Sequence, residues 1–204
     1  MKIGPKYKIA RRLGAPIFEK TQSQKFALSE SRKEHSSKRR RPKARTEFAI
    51  QMTEKQKARY IYGLSEKQFS NYVKKALSQG GAAPAATLFA LLETRLDNVI
   101  YRLGLTTTRR AARQMVSHGH IAVNGHRSTI PSQTVKKGDT VAIRASSQTK
   151  TLFADLKERL ATVTIPGWLT DDQNSHKATI QGAPVLEGQD LLFDINAVLD
   201  FYSR

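Results

Sequence analysis

Residues 92–125 read LETRLDNVIYRLGLTTTRRAARQMVSHGHIAVNG, and the organisation of the chain follows from this stretch. Leu88, Leu91, Leu92, Leu96, Val99, Ile100 and Leu103 recur at three- and four-residue intervals, the apolar stripe of an amphipathic helix. Arg95, Asn98 and Arg102 fall on another face of that helix, and Gly104 ends it. Thr107 or Thr108 is placed to cap a second helix over about 109–118. On this second helix Ala112, Met115 and Val116 point inward, while Arg110, Arg113, Gln114 and Ser117 share the opposite face. Next come Ile121-Ala122-Val123, the dipeptide Asn124-Gly125 and a second extended run to Ile130. Asn-Gly between two such runs predicts a hairpin, because both central residues of a type I′ turn need positive φ. Gly138-Asp139 turns the chain again, and Val141 and Ile143 alternate on a third strand. The product is a helix-helix-hairpin module with arginines on the faces its core does not use.

The strings ETRLDNVIYRLG and TRRAARQMVSHGHIAVNG, with the following IPS and VKKGDTV, resemble the RNA-binding module named after ribosomal protein S-four. That module also occurs in pseudouridine synthases, in a tyrosyl-tRNA synthetase tail and in a heat-shock RNA-binding protein. By itself it implies RNA binding and nothing narrower.

Charge narrows the field. The 204 residues carry a net charge of +18, unevenly spread. Residues 1–62 hold 18 Lys+Arg against 5 acids, and residues 63–150 hold 13 against 4. Residues 151–204 reverse the balance, with 4 against 8. The first three quarters therefore suit a polyanion, and the last quarter suits protein contact. No apolar run is long enough to span a membrane, so no membrane partner is expected, and the N-terminus lacks a signal-peptide core. With no cysteine, disulfides and thiolate metal sites are excluded.

The N-terminal GPKYKIARRLG predicts a short basic helix over 6–13 ended by Gly14, and it resembles the opening of the S-four ribosomal protein. Residues 19–46 have almost no periodicity. The run SRKEHSSKRRRPKAR at 31–45 buries too little to offset chain entropy and is expected to order only on RNA. Thr53 with Gln56 and Ser65 with Gln68 both have the capping-box spacing, which predicts two helix starts separated by Gly63. In the second of these helices Phe69, Tyr72, Val73, Ala76 and Leu77 form one apolar stripe. EKQKARYIYGLSEKQFSNY resembles the S-four ribosomal protein itself rather than the enzymes that borrow its module. Downstream, residues 149–160 predict a helix with Leu152, Phe153, Leu156 and Leu160 inward, Trp168 a packing anchor, and 178–185 a strand pair around Gly182. EGQDLLFDINAVLDFYSR resembles the S-four C-terminus, which in the family returns to the N-terminal domain.

The histidines offer no catalytic or metal site. His118 and His120 lie two apart at a helix-to-strand corner without a third ligand, and His35 stands alone, so zinc is not expected even though some family members carry a zinc knuckle. No nucleophile elbow or P-loop is present. An enzyme is therefore not expected, and neither is any cofactor.

The resemblance covers the chain except about 18–40, and identifies it as a member of the bacterial-type, cysteine-free small-subunit ribosomal protein S-four family. It implies an α+β fold: a helical N-terminal domain completed by the C-terminal segment, with the RNA-binding module inserted. The expected divisions are a basic extension over 1–46, a helical domain over 47–90, the module over 91–157 and a returning segment over 158–204. It implies a cytoplasmic protein of the small ribosomal subunit that binds 16S rRNA early, nucleates assembly of the subunit body and influences translational accuracy. The implied rRNA contacts are Lys6, Lys8, Arg11, Arg12, Lys55, Lys57, Arg59, Arg95, Arg102, Arg109, Arg110, Arg113, Gln114, Ser117, His118, His120 and Asn124. A basic cluster of Arg39, Arg40, Arg41, Lys43 and Arg45 would meet mRNA near the entrance tunnel. Arg41 there matches one family position credited with unwinding mRNA, and the next two fall on Pro42 and Ala44. Asp190, Asp194, Phe201 and Tyr202 would form a protein interface toward the neighbouring ribosomal protein S-five. The alternative is a stand-alone RNA-binding regulator built on the same module.

Overall fold

The computed structural model describes residues 3–37, 46–79, 83–172, 177–186 and 191–203. The chain divides into two units, one formed by residues 1–85 with 188–204 and the other by residues 86–187.

The first unit opens with α1 (Lys6–Leu13), which ends at Gly14 in the left-handed region as expected. Its Ile9, Ala10 and Leu13 bury with Ile17, Phe18 and Phe26 in a small cluster of their own. Phe26 belongs to α2 (Gln24–Ser37), a helix in a stretch where the sequence shows no periodicity. Its pattern is hidden because little of it is covered: Phe26 is buried but Leu28 is exposed, and Arg11 of α1 ties it down through Glu30 at 2.6 Å and Ser29 at 2.9 Å. The expectation of an unfolded run from residue 31 is thus corrected as far as Ser37; residues 38–45 lie outside the described residues.

Next, α3 (Glu47–Ile61) starts earlier than its supposed capping box. Thr46 is the cap, accepting from the Ala49 amide, while the Thr53 hydroxyl sits mid-helix and donates to the Ala49 carbonyl. The box at Ser65 and Gln68 is real and opens α4 (Glu66–Ser78), whose Phe69, Val73 and Ala76 are buried.

The second unit begins near α5 (Pro84–Glu93), which is followed by α6 (Leu96–Arg102). The single long helix read from the leucine spacing is therefore two. Arg95 is extended between them and bridges Thr134. The first amides of α6 are satisfied by tertiary carbonyls, Leu96 donating to Gln133 and Asp97 to Pro131. The break escapes the sequence because Leu92 and Leu96, on either side of it, remain four residues apart. Thr108 caps α7 (Arg109–Ser117) through the Ala111 amide.

The hairpin is as read: β1 (Ile121–Val123) and β2 (His126–Ser128) are joined by Asn124 and Gly125 at φ 51° and 82°. β3 (Thr140–Ile143) pairs with β1, Ala122 opposite Ala142. The predicted helix at 149–160 is instead α8 (Ala145–Gln148), a 3-10 turn at Thr151–Phe153 and α9 (Leu156–Thr162). Phe153, Leu156 and Leu160 are buried, whereas Leu152 is exposed. β4 (Leu169–Asp172) and β5 (Lys177–Ile180) replace the strand pair expected around Gly182. They complete an antiparallel sheet of order β2-β1-β3-β5-β4. The central unit accordingly runs to Glu187 rather than ending at residue 157. Its core joins Leu96, Val99, Ile100 and Leu103 of α6 to Ala112, Met115 and Val116 of α7 and to Ile121, Val141, Ile143 and Ile180 of the sheet, with Trp168 packed at the edge.

Finally α10 (Ile195–Ser203) belongs to the first unit, so the central unit is an insertion in the helical one. It packs mainly on α3, and only secondarily on α4, the helix expected to receive it.

Candidate nucleic-acid interface

The polar face of α6 is an internal network before it is a surface. Asp97 and Glu93, 4% and 1% exposed in their side chains, are its anchors. Arg95 donates from Nε and Nη2 to Asp97 at 3.0 and 2.8 Å and is itself 2% exposed. The expectation that Arg95 meets phosphate is corrected here: the break before α6 turns its side chain inward, onto a buried carboxylate. Asn98, also buried, donates to Glu93 and accepts from Arg109 Nε at 2.6 Å.

Three further arginines radiate from these anchors to the surface. Arg113 meets Asp97, Arg102 meets Glu93 from Nε and Nη2 at 2.8 and 2.9 Å, and Arg109 stacks over the Tyr101 ring at 4.3 Å. Arg102 and Arg113 keep 27% and 29% of their side chains exposed. Charge-assisted pairs of this kind fix a guanidinium's plane while leaving an edge toward solvent. Arg110, Gln114 and Ser117 on α7 and His118 at its C-cap are exposed beside them, the Ser117 hydroxyl being turned back to the Arg113 carbonyl.

His120 sits at the corner with its Nδ1 3.0 Å from the Ser147 hydroxyl. Burial first, then the charges of Lys150, His118, Arg144 and Arg127, hold its imidazole below the ordinary value, so it is neutral at neutral pH. Those neighbours matter in their own right. Arg127, Arg144 and Lys150 make the surroundings of the corner cationic, and sequence reasoning passed over them because they lie on separate strands and loops. Asn124 is exposed but committed: its amide donates to Asp139 and accepts from the Thr140 amide, each at 2.8 Å. It locks the hairpin turn to β3 instead of offering a free amide to RNA.

In the helical unit, Lys8 and Arg12 are exposed on α1, Lys6 lies over the Phe18 ring and Arg11 is spent on Glu30. Lys57 pairs with Glu54 at 2.7 Å and Arg59 with Glu66 at 3.3 Å. Lys55 is 5% exposed, bonded to Glu66 at 2.8 Å and 4.3 Å above the Phe201 ring. Its expected phosphate contact is corrected, because α10 covers it. The carboxyl of Glu66 is raised by burial but lowered more by the bonds from Lys55 and Tyr202 and the charges of Lys55 and Arg59, so it ends below its usual range.

The expected protein interface is part of the same joint. Phe201 packs on Phe48 at 5.6 Å, and the Tyr202 hydroxyl donates to Glu66 at 2.8 Å. Asp194 caps α10 by accepting from the Asn196 amide at 2.8 Å. All three thus make contacts within the chain, and Asp194 is exposed as well. Asp190 and the cluster Arg39, Arg40, Arg41, Lys43 and Arg45 lie outside the described residues. Among the described residues no group of three His, Asp or Glu could hold a metal ion, and no helix is long and apolar enough to cross a membrane.

Two family models match the chain. Residues 94–141 match the S4 domain, and residues 1–93 match the Ribosomal protein S4/S9 N-terminal domain. The chain is 41% identical to the small ribosomal subunit protein uS4 of Roseiflexus sp., over 98% of both chains. It is 42% identical to that of Roseiflexus castenholzii over 99% of this chain and 98% of the relative. It is 44% identical to that of Syntrophomonas wolfei over 78% and 76%. With two matched domains in the same order and relatives aligned end to end, the chain belongs to the uS4 family of small ribosomal subunit proteins.

Proposed function

We propose that this chain is a structural constituent of the small ribosomal subunit, cytoplasmic with the ribosome, and that it binds 16S rRNA directly through the central unit. One observation carries the reading. The α6–α7 pair buries its apolar stripe completely and still brings Arg102, Arg109, Arg110 and Arg113 to the surface, in a chain matched along its length by small-subunit proteins. Oriented guanidinium groups on a rigid helix pair grip the phosphates of a folded RNA and read its shape more than its sequence. The arrangement is one of binding.

The finer roles follow from the family resemblance together with charge. Early binding to the 5′ region would nucleate assembly of the subunit body. The basic run at 38–45, with six cations, suits the mRNA entrance. A net charge of −4 over residues 151–204, with Asp200 exposed, suits contact with the neighbouring protein S-five and an influence on accuracy.

Sedimentation tests the main reading: the protein should remain with small subunits after a high-salt wash. In filter binding it should prefer a folded small-subunit rRNA junction to tRNA or duplex DNA. Release by salt and equal affinity for all three nucleic acids would overturn the ribosomal role and leave a general RNA-binding regulator.

A further inference from the structure

At the corner between α7 and β1 lies a pocket of about 200 Å³. It is smaller than the roughly 300–1,000 Å³ that holds drug-sized ligands. Its volume suits a single planar heterocycle. Met115, 2% exposed, forms the floor with Ala111. His118 and His120 line it as an edge-to-face pair, with centroids 6.1 Å apart and planes at 62°. Leu152, 47% exposed, is the lip. Gln114 stands at the rim, exposed and with no side-chain hydrogen bond to any described residue.

From these features the geometry points to a seat for one unpaired nucleobase of the bound RNA, with adenine favoured. The proposal rests on the RNA-binding reading above and adds to it a base that is read rather than a phosphate that is gripped. Three physical arguments support it. First, sequence-specific recognition of RNA works on splayed-out bases, stacked on aromatic rings and hydrogen-bonded at their edges. An imidazole face of this pair and the thioether floor supply the first element, and Gln114 supplies the second. Second, an amide presents one donor beside one acceptor, which matches the N6 amino group and adjacent N1 on the Watson–Crick edge of an unpaired adenine. Third, the cations are outside the pocket, not in it. Arg127, Arg144 and Lys150 act on His120 from around the corner, and none of the three lines the pocket. A base can therefore enter with its phosphates left on the cationic rim. His120, kept neutral by burial and by those cations, adds no charge that would resist an apolar ring.

The test uses the full-length protein bound to the folded 5′ domain of 16S rRNA, probed with dimethyl sulfate at adenine N1. Ala111→Leu fills the pocket with a good helix former and changes no charge. Gln114→Ala removes the reading group alone. Both variants should bind about tenfold more weakly with the salt slope of the wild type, and one adenine protected by the wild type should become reactive in both. Arg110→Ala should do the opposite, lowering the salt slope while that adenine stays protected. Thermal melting separates these effects from misfolding, since both pocket variants should melt with the wild type. Wild-type affinity and an unchanged methylation pattern in Ala111→Leu and Gln114→Ala would overturn the proposal while leaving the RNA-binding reading intact. Failure of the wild-type protein to bind the folded RNA would overturn both.

Discussion

Arg113 is joined twice to Asp97: its Nε and Nη2 both donate to one carboxylate oxygen, at 2.9 and 2.7 Å. Arg95 Nη2 reaches the same oxygen from the buried side at 2.8 Å. One aspartate thus fixes two arginines, one interior and one at the surface. Asp97→Asn would remove the charge that compensates a buried guanidinium, and breaking a buried pair in this way costs about 3–5 kcal/mol. Urea unfolding should show a lower midpoint with an unchanged slope; an unshifted midpoint would mean that Arg95 finds another anion.

Replacing Arg113 itself has a different signature. The buried Arg95–Asp97 pair survives, so stability should change little. Affinity for folded rRNA should fall by about 1–2 kcal/mol, and the salt slope should drop by about one. Filter binding across a salt series measures both quantities, and identical wild-type and Arg113→Ala curves would reduce this face to a solvated one.

Gly104 closes α6 at φ 74°, and a Cβ there would meet the Val163 side chain at 2.9 Å. Gly104→Ala combines a left-handed penalty of about 1–2 kcal/mol with displacement of Val163. Denaturant unfolding should report a loss of at least that size. A stability equal to the wild type would show that the helix end rearranges freely.

The joint around Glu66 should respond to acid. Its folded-state pKa lies below the ordinary 4.5, so the folded protein releases this proton more readily than the unfolded chain does. The resulting stabilisation is complete above pH 4.5 and fades as pH falls through the lowered folded value. Thermal melting followed from pH 7 downward should therefore drop less steeply in Glu66→Gln than in the wild type over that range. Parallel curves would place the acid sensitivity elsewhere.

Removal of residues 189–204 takes away α10 and uncovers Phe48 and Lys55. The helical unit should melt earlier, while recognition of rRNA by the central unit is kept. In cells whose ribosomes carry the truncated chain, stop-codon readthrough should rise. A melting temperature and a readthrough level both equal to those of the full-length protein would show that the segment is neither structural nor linked to accuracy.

Local signals carried much of this architecture. The Asn124-Gly125 turn, the Thr108 and Ser65 caps and the α7 stripe are each decided within a few residues, so the sequence exposes them. Features set by distant partners were not legible. Arg95 reads as a surface arginine because nothing nearby announces that residues 131–135 will pair with 94–97 and split the helix. Lys55 looks like a solvated lysine until α10 closes over it. α2 shows no periodicity because it needs only Phe26 and the Arg11–Glu30 tie. The candidate base seat was legible as residues, since Gln114, His118 and His120 were singled out. Its enclosure was not, because Leu152 arrives from beyond β3.

The insertion of the central unit also sets a schedule. During synthesis α3 and α4 emerge long before α10, and all of residues 86–187 are made in between. At about 5–20 residues per second the helical unit waits on the order of ten seconds for its closing helix. Through that interval the surface that Phe201 and Tyr202 will cover stays wet, and Glu66 lacks one of its donors. The part of the chain that begins first is therefore finished last, and a nascent chain is most open to aggregation and proteolysis at its helical unit while the central unit is already complete.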